Sequence, residues 1–370
     1  MRILILNWRC PKNPKAGGAE FLTFEIAKRL VGFGHSLEWF TASFPGASER
    51  EVVDGVLFVR AGRQWTVHVR ALTRYRRSLR DKFDLVIDEI NTMPFFTPLW
   101  AGIPVLTVMH QLAREVWWYE SVFPFNAIGY LLEPLYLRPY RRNNIVTISG
   151  STKRDLLKLG FRGSISVIPV GIAPVRVAGA AKAAVPTFIY VGRFSPSKRI
   201  QDIIRALAIF RRTTGVGQLI LVGGGNSRYA RKLKRLAEKL GVYQSTKFVG
   251  YLTEREKQLA MAQSHALLMA SVREGWGLAV TEANACGTPA IVYDVPGLRD
   301  SVRNNDTGLL VGPTPEKLAE GMRRLLTDER LQSRLSRHLA SMQPYSSLED
   351  SATAMALNIA ESFEATVRVS

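Results

Sequence analysis

Short, largely apolar runs that end in polar residues constrain this chain more than any other feature. Arg2-Ile-Leu-Ile-Leu-Asn7 reads as a strand buried on both faces, and Asp84–Asp88 and Pro104–Met109 are runs of the same kind. A strand covered on both sides shows no apolar–polar alternation, so these predict interior parallel strands. Ser36–Thr41, Val52–Val59, Ile145–Ile148, Ile165–Pro169, Thr187–Val191, Gln218–Val222 and Ala266–Ala270 read as further strands. Between them lie segments of helical period, among them Phe21–Leu30, Thr66–Lys82, Lys153–Leu159, Ile200–Arg212 and Ser227–Leu240. Strand and helix in alternation predict an α/β fold.

With 370 residues, 46% of them hydrophobic, the chain has material for two domains with separate cores. The Ala-, Gly-, Val- and Pro-bearing stretch 171–186 reads as a linker. It separates an N-terminal Rossmann-like domain, 1–170, from a second one, 187–345, and 346–370 reads as a C-terminal helix. No stretch approaches the apolar length that crosses a bilayer, and the N-terminus runs straight into a strand, so nothing suggests secretion. Cys10 and Cys286 fall in different domains with no neighbour at metal-ligand spacing, which makes reduced thiols in a cytoplasmic setting the expectation.

A formal charge of +19 predicts attraction to polyanions. Zinc spacing, an RNP sequence and a basic-zipper pattern are all missing, so nucleic acid is not the expected partner. The charge clusters: Arg60, Arg63, Arg70, Arg74, Arg76, Arg77, Arg80 and Lys82 lie close together, with Asp81 the only acid between residues 60 and 82. Such a basic amphipathic segment ordinarily packs one face and solvates the other. Its shortage of acidic partners also suits an anionic membrane surface. Glu115–Arg142 adds Trp117, Trp118, Tyr119, Phe123, Phe125 and further aromatics, closed by Arg138, Arg141 and Arg142. That composition fits a membrane interface or a greasy acceptor groove, and equally a helix packed into the core.

The chemistry concentrates in Glu274–Pro289, E-G-W-G-L-A-V-T-E-A-N-A-C-G-T-P. Gly275 and Gly277 remove side chains where something must approach closely, Leu278–Cys286 reads as a helix, and Gly287 and Pro289 stop it. The open N–H groups and dipole of that helix suit a diphosphate, and Glu274 and Glu282 flank it as acceptors for hydroxyls. Arg193 and Lys198, in the loop after Thr187–Val191, add a fork and a point charge for phosphate oxygens. Gly223-Gly224-Gly225 ends another strand and admits close approach.

These residues resemble retaining glycosyltransferases of family 4, which have the GT-B fold: two Rossmann-like α/β/α domains facing across a central cleft, with a C-terminal helix crossing back to the N-terminal domain. The resemblance rests on the E-x7-E pair with E-G-W-G between and C-G-T-P after, and on G-R-x-x-x-x-K at Gly192–Lys198. It implies that Glu274 contacts the donor sugar and Glu282 the ribose, with Gly275, Trp276, Gly277, Leu278 and Ala279 around them. Arg193 and Lys198 would hold the donor diphosphate as it leaves. Gly224 would lie in the donor half, and Tyr251, within the segment Lys247–Leu252, in the part that frames the base. In the N-terminal half, Gly17, Gly18 and Glu20 match the family's G-G-x-E loop near the acceptor, although unaided they read as a tight turn. His110 matches a histidine near the reacting centre, at the mouth of the cleft with Glu89. Arg199 stands where the family has glycine, a departure expected to add charge and remove nothing.

The implied function is transfer of a sugar from a nucleotide-diphosphate sugar to an acceptor, lipid-linked or membrane-proximal, with retention and without a metal ion or other cofactor. The implied partners are the nucleotide sugar and an anionic membrane surface. The implied place is the cytoplasm, peripheral on the inner face of the membrane. The same chemistry on a soluble acceptor, a sugar-nucleotide epimerase of the same fold and a non-catalytic basic binding protein are the alternatives.

Overall fold

A computed structural model describes residues 1–76, 82–172, 175, 177, 180–341 and 346–367. The chain forms two compact α/β units. Unit 1 takes Met1–Arg114, Ala127–Gly171 and Ser346–Ser370, and unit 2 takes Glu115–Asn126 and Ile172–Tyr345.

Unit 1 is built on eight strands: β1 (Arg2–Leu6), β2 (Ser36–Thr41), β3 (Arg50–Val53), β4 (Val56–Arg60), β5 (Leu85–Glu89), β6 (Val105–Val108), β7 (Asn144–Thr147) and β8 (Ile165–Val167). They lie in the order β3-β4-β2-β1-β5-β6-β7-β8. All neighbours are parallel except the β3–β4 hairpin. The run Val52–Val59, expected as one strand, is therefore two. Asp54 and Gly55 stand at φ +48° and +81°, the pair of left-handed conformations that makes a two-residue hairpin turn. The predicted helix Thr66–Lys82 is a helix over Val67–Arg74; residues 77–81 lie outside those described. The last helix, Leu348–Val367, packs on the helix Gly18–Gly32 and on β6 and β7. Ala352, Met355 and Ile359 are its buried stripe, and Ser351 Oγ accepts the Gly171 N–H at 2.8 Å.

Unit 2 has six parallel strands: β9 (Thr187–Val191), β10 (Gln218–Val222), β11 (Thr246–Gly250), β12 (Ala266–Met269), β13 (Ala290–Tyr293) and β14 (Gly308–Val311). Their order is β11-β10-β9-β12-β13-β14. Alternate residues of β9 enter different cores. Phe188 and Tyr190 pack with Ile203, Leu207 and Phe210 of the helix Ile200–Thr214, while Ile189 joins Val280 and Ala283 of the helix Leu278–Ala285. The mainly apolar character of β9, without apolar–polar alternation, is thus explained by helices on both faces. Chain order reverses between β9 and β12, as it does between β1 and β5 in unit 1. In open parallel sheets this reversal leaves a crevice at the carboxyl ends of the two central strands, where ligands bind.

Candidate functional site

Both loops that leave the reversal point of unit 2 carry predicted site residues. The loop after β9 holds Arg193 and Lys198, and the loop after β12 holds Glu274–Gly277. They meet directly: Lys198 Nζ lies 2.5 Å from Glu274 Oε1, which also accepts the Ser271 hydroxyl at 2.7 Å. The two side chains are only 20% and 12% exposed, so water screens the pair weakly. The loops are also tied through backbone, Val272 N–H donating to the Ser197 carbonyl at 2.9 Å. Glu274 N–H donates to the Pro296 carbonyl, and Gly297, at φ +85°, lies so close that a Cβ there would come within 2.0 Å of the Glu274 carbonyl oxygen. Arg193 is exposed, its carbonyl taking the buried Tyr190 hydroxyl at 3.0 Å.

Gly277, at φ +97°, is the N-cap of the helix Leu278–Ala285. Trp276 folds back so that its indole N–H reaches Thr281 Oγ1 at 2.8 Å, and Gly275, Leu278 and Ala279 stay half-buried around it. Glu282 on this helix pairs with Lys257 at 3.0 Å, and Lys257 also holds Glu254 at 2.9 Å. Desolvation pushes the Glu282 carboxyl above the usual carboxylate range against the pull of Lys257. Glu282 does not share a partner with Glu274. Gly224 and Tyr251 are brought together: the ring, 77% exposed, covers the glycine so closely that a Cβ on Gly224 would stand 2.8 Å from it.

Arg199 departs from its expectation. It sits at φ +48°, the left-handed conformation that glycine adopts freely, which costs an L-residue roughly 1–2 kcal/mol. Its guanidinium pairs with the buried carboxylate of Asp202 at 2.5 Å and lies over the Tyr293 ring at 5.3 Å. The added charge is therefore engaged within the unit, and the ion pair offsets the strain.

Unit 1 has a second constellation at its own reversal point. The G-G-x-E segment is the start of a helix and not a loop: Gly17 is the N-cap and Glu20 already lies in the first turn of Gly18–Gly32. Glu20 is fully buried, and its carboxylate is consumed by the Gly17 N–H at 2.8 Å, Arg9 at 2.7 Å and Asn91 Nδ2 at 3.2 Å. Gly17 and Gly18 are exposed. One turn on from Glu20, Thr23 Oγ1 lies 3.3 Å from His110 Nε2, which is also 3.3 Å from Glu89 Oε1. His110 is 5% exposed and Glu89 fully buried. Neither carboxylate oxygen of Glu89 has a hydrogen bond among the described residues.

The basic cluster is partly spent. Arg60 is 2% exposed and bonded to Glu51 and the Ser48 carbonyl, and Arg74 reaches Glu38 at 3.5 Å. Arg70 and Arg76 are exposed, whereas Arg77 and Arg80 lie outside the described residues. The helix Phe125–Tyr136 is inside-out. Its one buried residue is Glu133, whose carboxylate accepts the Ala113 and Arg114 N–H groups at 2.7 Å each, and its exposed residues include Phe125, Ile128, Leu131, Leu132 and Leu135. Among the described residues no helix is long and apolar enough to cross a membrane.

Several residues here carried no readable signal in the sequence: Ser197, Ser271, Val272, Arg273 and Lys257 on unit 2, and Glu115 and Glu120 on the segment that joins it. Their types are ordinary, and only the packing of distant loops selects them.

Two family models match the chain, "Glycosyltransferase Family 4" over residues 16–176 and "Glycosyl transferases group 1" over residues 176–340. A glycogen synthase of Mycobacterium tuberculosis is 26% identical, covering 91% of this chain and 89% of its own. A GDP-mannose-dependent alpha-(1-6)-phosphatidylinositol monomannoside mannosyltransferase of the same organism is 27% identical over 88% and 89%. Among solved structures, a sucrose-phosphate synthase from Thermosynechococcus elongatus superposes with a TM-score of 0.80 at 22% identity, covering 98% of this chain and 99% of that one.

Proposed function

We propose, for a chain that belongs to the family 4 and group 1 glycosyltransferases and has their GT-B fold, retaining transfer of a sugar from a nucleotide-diphosphate sugar to a lipid-linked or membrane-proximal acceptor. The observation that carries the donor half is the Lys198–Glu274 pair at the reversal point between β9 and β12. A diphosphate settling there meets Lys198 and Arg193, and negative charge developing on the leaving nucleoside diphosphate is stabilised by cations already in place. Glu274, freed from part of its bond to Lys198 when phosphate oxygens arrive, turns to the hydroxyls of the sugar. Glu282 accepts from the ribose, and Tyr251 over Gly224 offers an exposed ring for the base. In unit 1, His110 lies 3.3 Å from both Thr23 and Glu89 and is the residue there that the family resemblance singles out. With two cations facing the diphosphate, the reading calls for no metal ion.

The acceptor half rests on the inside-out helix Phe125–Tyr136. Exposed apolar residues at positions 128, 131, 132 and 135 form one helical face, no exposed acid follows on that helix, and Arg138 and Arg142 lie exposed beyond its end. Apolar surface bordered by cations fits the surface of an anionic membrane, and Arg70 and Arg76 add to the same attraction. The mannosyltransferase relative acts, by its name, on a phosphatidylinositol monomannoside. A peripheral site on the inner face of the cytoplasmic membrane follows from this reading.

Thermal stabilisation by UDP-, GDP- and ADP-sugars tests the donor half. A nucleotide sugar at a hundred times its Kd stabilises the folded chain by about 2.7 kcal/mol, and Glu282→Ala should reduce the shift. No shift with any of them would overturn the reading. Co-sedimentation with phosphatidylglycerol vesicles at physiological salt tests the acceptor half. Protein left in the supernatant would point to a soluble acceptor.

A further inference from the structure

Between β6 and β7 the chain places Glu115–Asn126 in unit 2. This excursion contains a single short helix, Val116–Glu120, with an acid at its N-cap and another at its last residue. Both acids are engaged, and on different loops. Glu115 Oε2 accepts from Arg273 Nε at 2.8 Å, with the Arg273 side chain only 6% exposed. Glu120 Oε1 accepts the Ser197 N–H at 3.1 Å and also the Ser197 hydroxyl. Each acid therefore grips the residue immediately before a member of the Lys198–Glu274 pair.

Ser197 is where the contacts converge. Its N–H and hydroxyl go to Glu120, its Oγ is 3.1 Å from Ser195 Oγ, and its carbonyl takes the Val272 N–H from the Glu274 loop. The next residue, Lys198, ends the Pro196–Lys198 turn and reaches Glu274. Two successive links, the Glu120–Ser197 hydrogen bonds and the Ser197–Lys198 peptide bond, thus connect Glu120 to the residue that bears the ammonium. A carboxylate beside a diphosphate site weakens anion binding if it acts through its field alone. Two hydrogen bonds to the backbone and side chain of one buried serine act in the other direction, by fixing where Lys198 points.

We infer that Glu120 is a positioning residue for Lys198 and Glu115 one for Glu274, so that the Glu115–Glu120 segment sets the geometry of the donor diphosphate site. The inference rests on the donor reading above and extends it to residues that touch neither sugar nor phosphate. Glutamine at 120 keeps an oxygen that accepts both Ser197 bonds, whereas alanine removes the acceptor. The charge is lost in both.

The test titrates the full chain with UDP, GDP and ADP by calorimetry, comparing wild type with Glu120→Gln, Glu120→Ala, Glu115→Ala and Ser197→Ala, with melting temperature as the check on folding. Glu120→Gln should bind the preferred diphosphate within about threefold of wild type. Glu120→Ala should bind roughly tenfold more weakly, the size expected when a charge-assisted hydrogen bond to a buried group is lost. Ser197→Ala, which keeps the N–H bond, should fall between them, and should decide the matter if Glu120→Ala does not fold. Glu115→Ala should also weaken binding. Alanine variants that bind as tightly as wild type, or more tightly, would overturn the inference while leaving the donor reading intact. A wild type that binds none of the three would remove the donor reading, and the inference with it.

Discussion

Lys198 and Glu274 lie 76 residues apart in sequence and 2.5 Å apart in space, joined across the strand-order reversal of one sheet. In the free protein each neutralises the other, so the cation is kept in place and partly desolvated before a donor arrives. Lys198→Ala should therefore lower kcat/KM by about 10²–10³-fold, the loss seen when one preorganised charge-stabilising group is removed. Steady-state rates with the donor found in the thermal panel check this, and a loss below about threefold would mean Lys198 does not face the leaving group.

Gly297 should be irreplaceable for a reason of space. Alanine there combines an unfavourable φ of +85° with a Cβ 2.0 Å from the Glu274 carbonyl oxygen, so the Glu274 loop must move. Gly297→Ala should cost roughly 1–3 kcal/mol of stability and weaken donor binding together. Urea unfolding alongside calorimetry checks it, and unchanged binding would show that the loop tolerates displacement.

Tyr251 should affect nucleotide affinity and little else. Its ring is 77% exposed and rests on Gly224, so Tyr251→Ala removes almost no buried area. Loss of ring stacking with a base should weaken nucleoside diphosphate binding by about 0.5–1.5 kcal/mol with the melting temperature unchanged. A falling melting temperature with intact affinity would reverse the assignment.

Asp88 supplies a pH dependence. Its carboxylate is fully buried and accepts from the Tyr140 hydroxyl at 2.5 Å and the Thr97 hydroxyl at 2.7 Å, yet desolvation outweighs these bonds and raises its pKa. The folded state then holds the proton more tightly than the unfolded state. The contribution of Asp88 to stability is complete below the unfolded value of about 3.9 and declines as pH rises through the folded one. Asp88→Asn, which cannot titrate, should gain on wild type in urea midpoint from pH 4 to 7.5. A constant difference between the two would contradict this origin.

The apolar runs of β1, β5, β9 and β12 were readable because burial on both faces leaves a one-dimensional signature. The β3–β4 hairpin was readable too, in Asp54-Gly55, but the β-rich run Val52–Val59 masked it. The site divided along the same line. Glu274, Lys198 and Arg193 stood out by motif, since glycine loops at strand ends leave a local pattern.

What the sequence determined by itself was the alternation of strands and helices, hence parallel sheets, and the loops at their carboxyl ends that carry Arg193, Lys198 and Glu274. Tertiary structure alone decided the partners. It turned Arg60 and Arg74 inward to Glu51 and Glu38, which lie outside their own segment, and gave Arg199 to Asp202. It spent Glu20 on Arg9 and Asn91, and set Glu115 and Glu120 on the residues before Glu274 and Lys198. Periodicity and propensity act over a few residues and leave their mark in the chain. A hydrogen bond between groups tens of residues apart depends on strand order and loop packing, which no local stretch encodes.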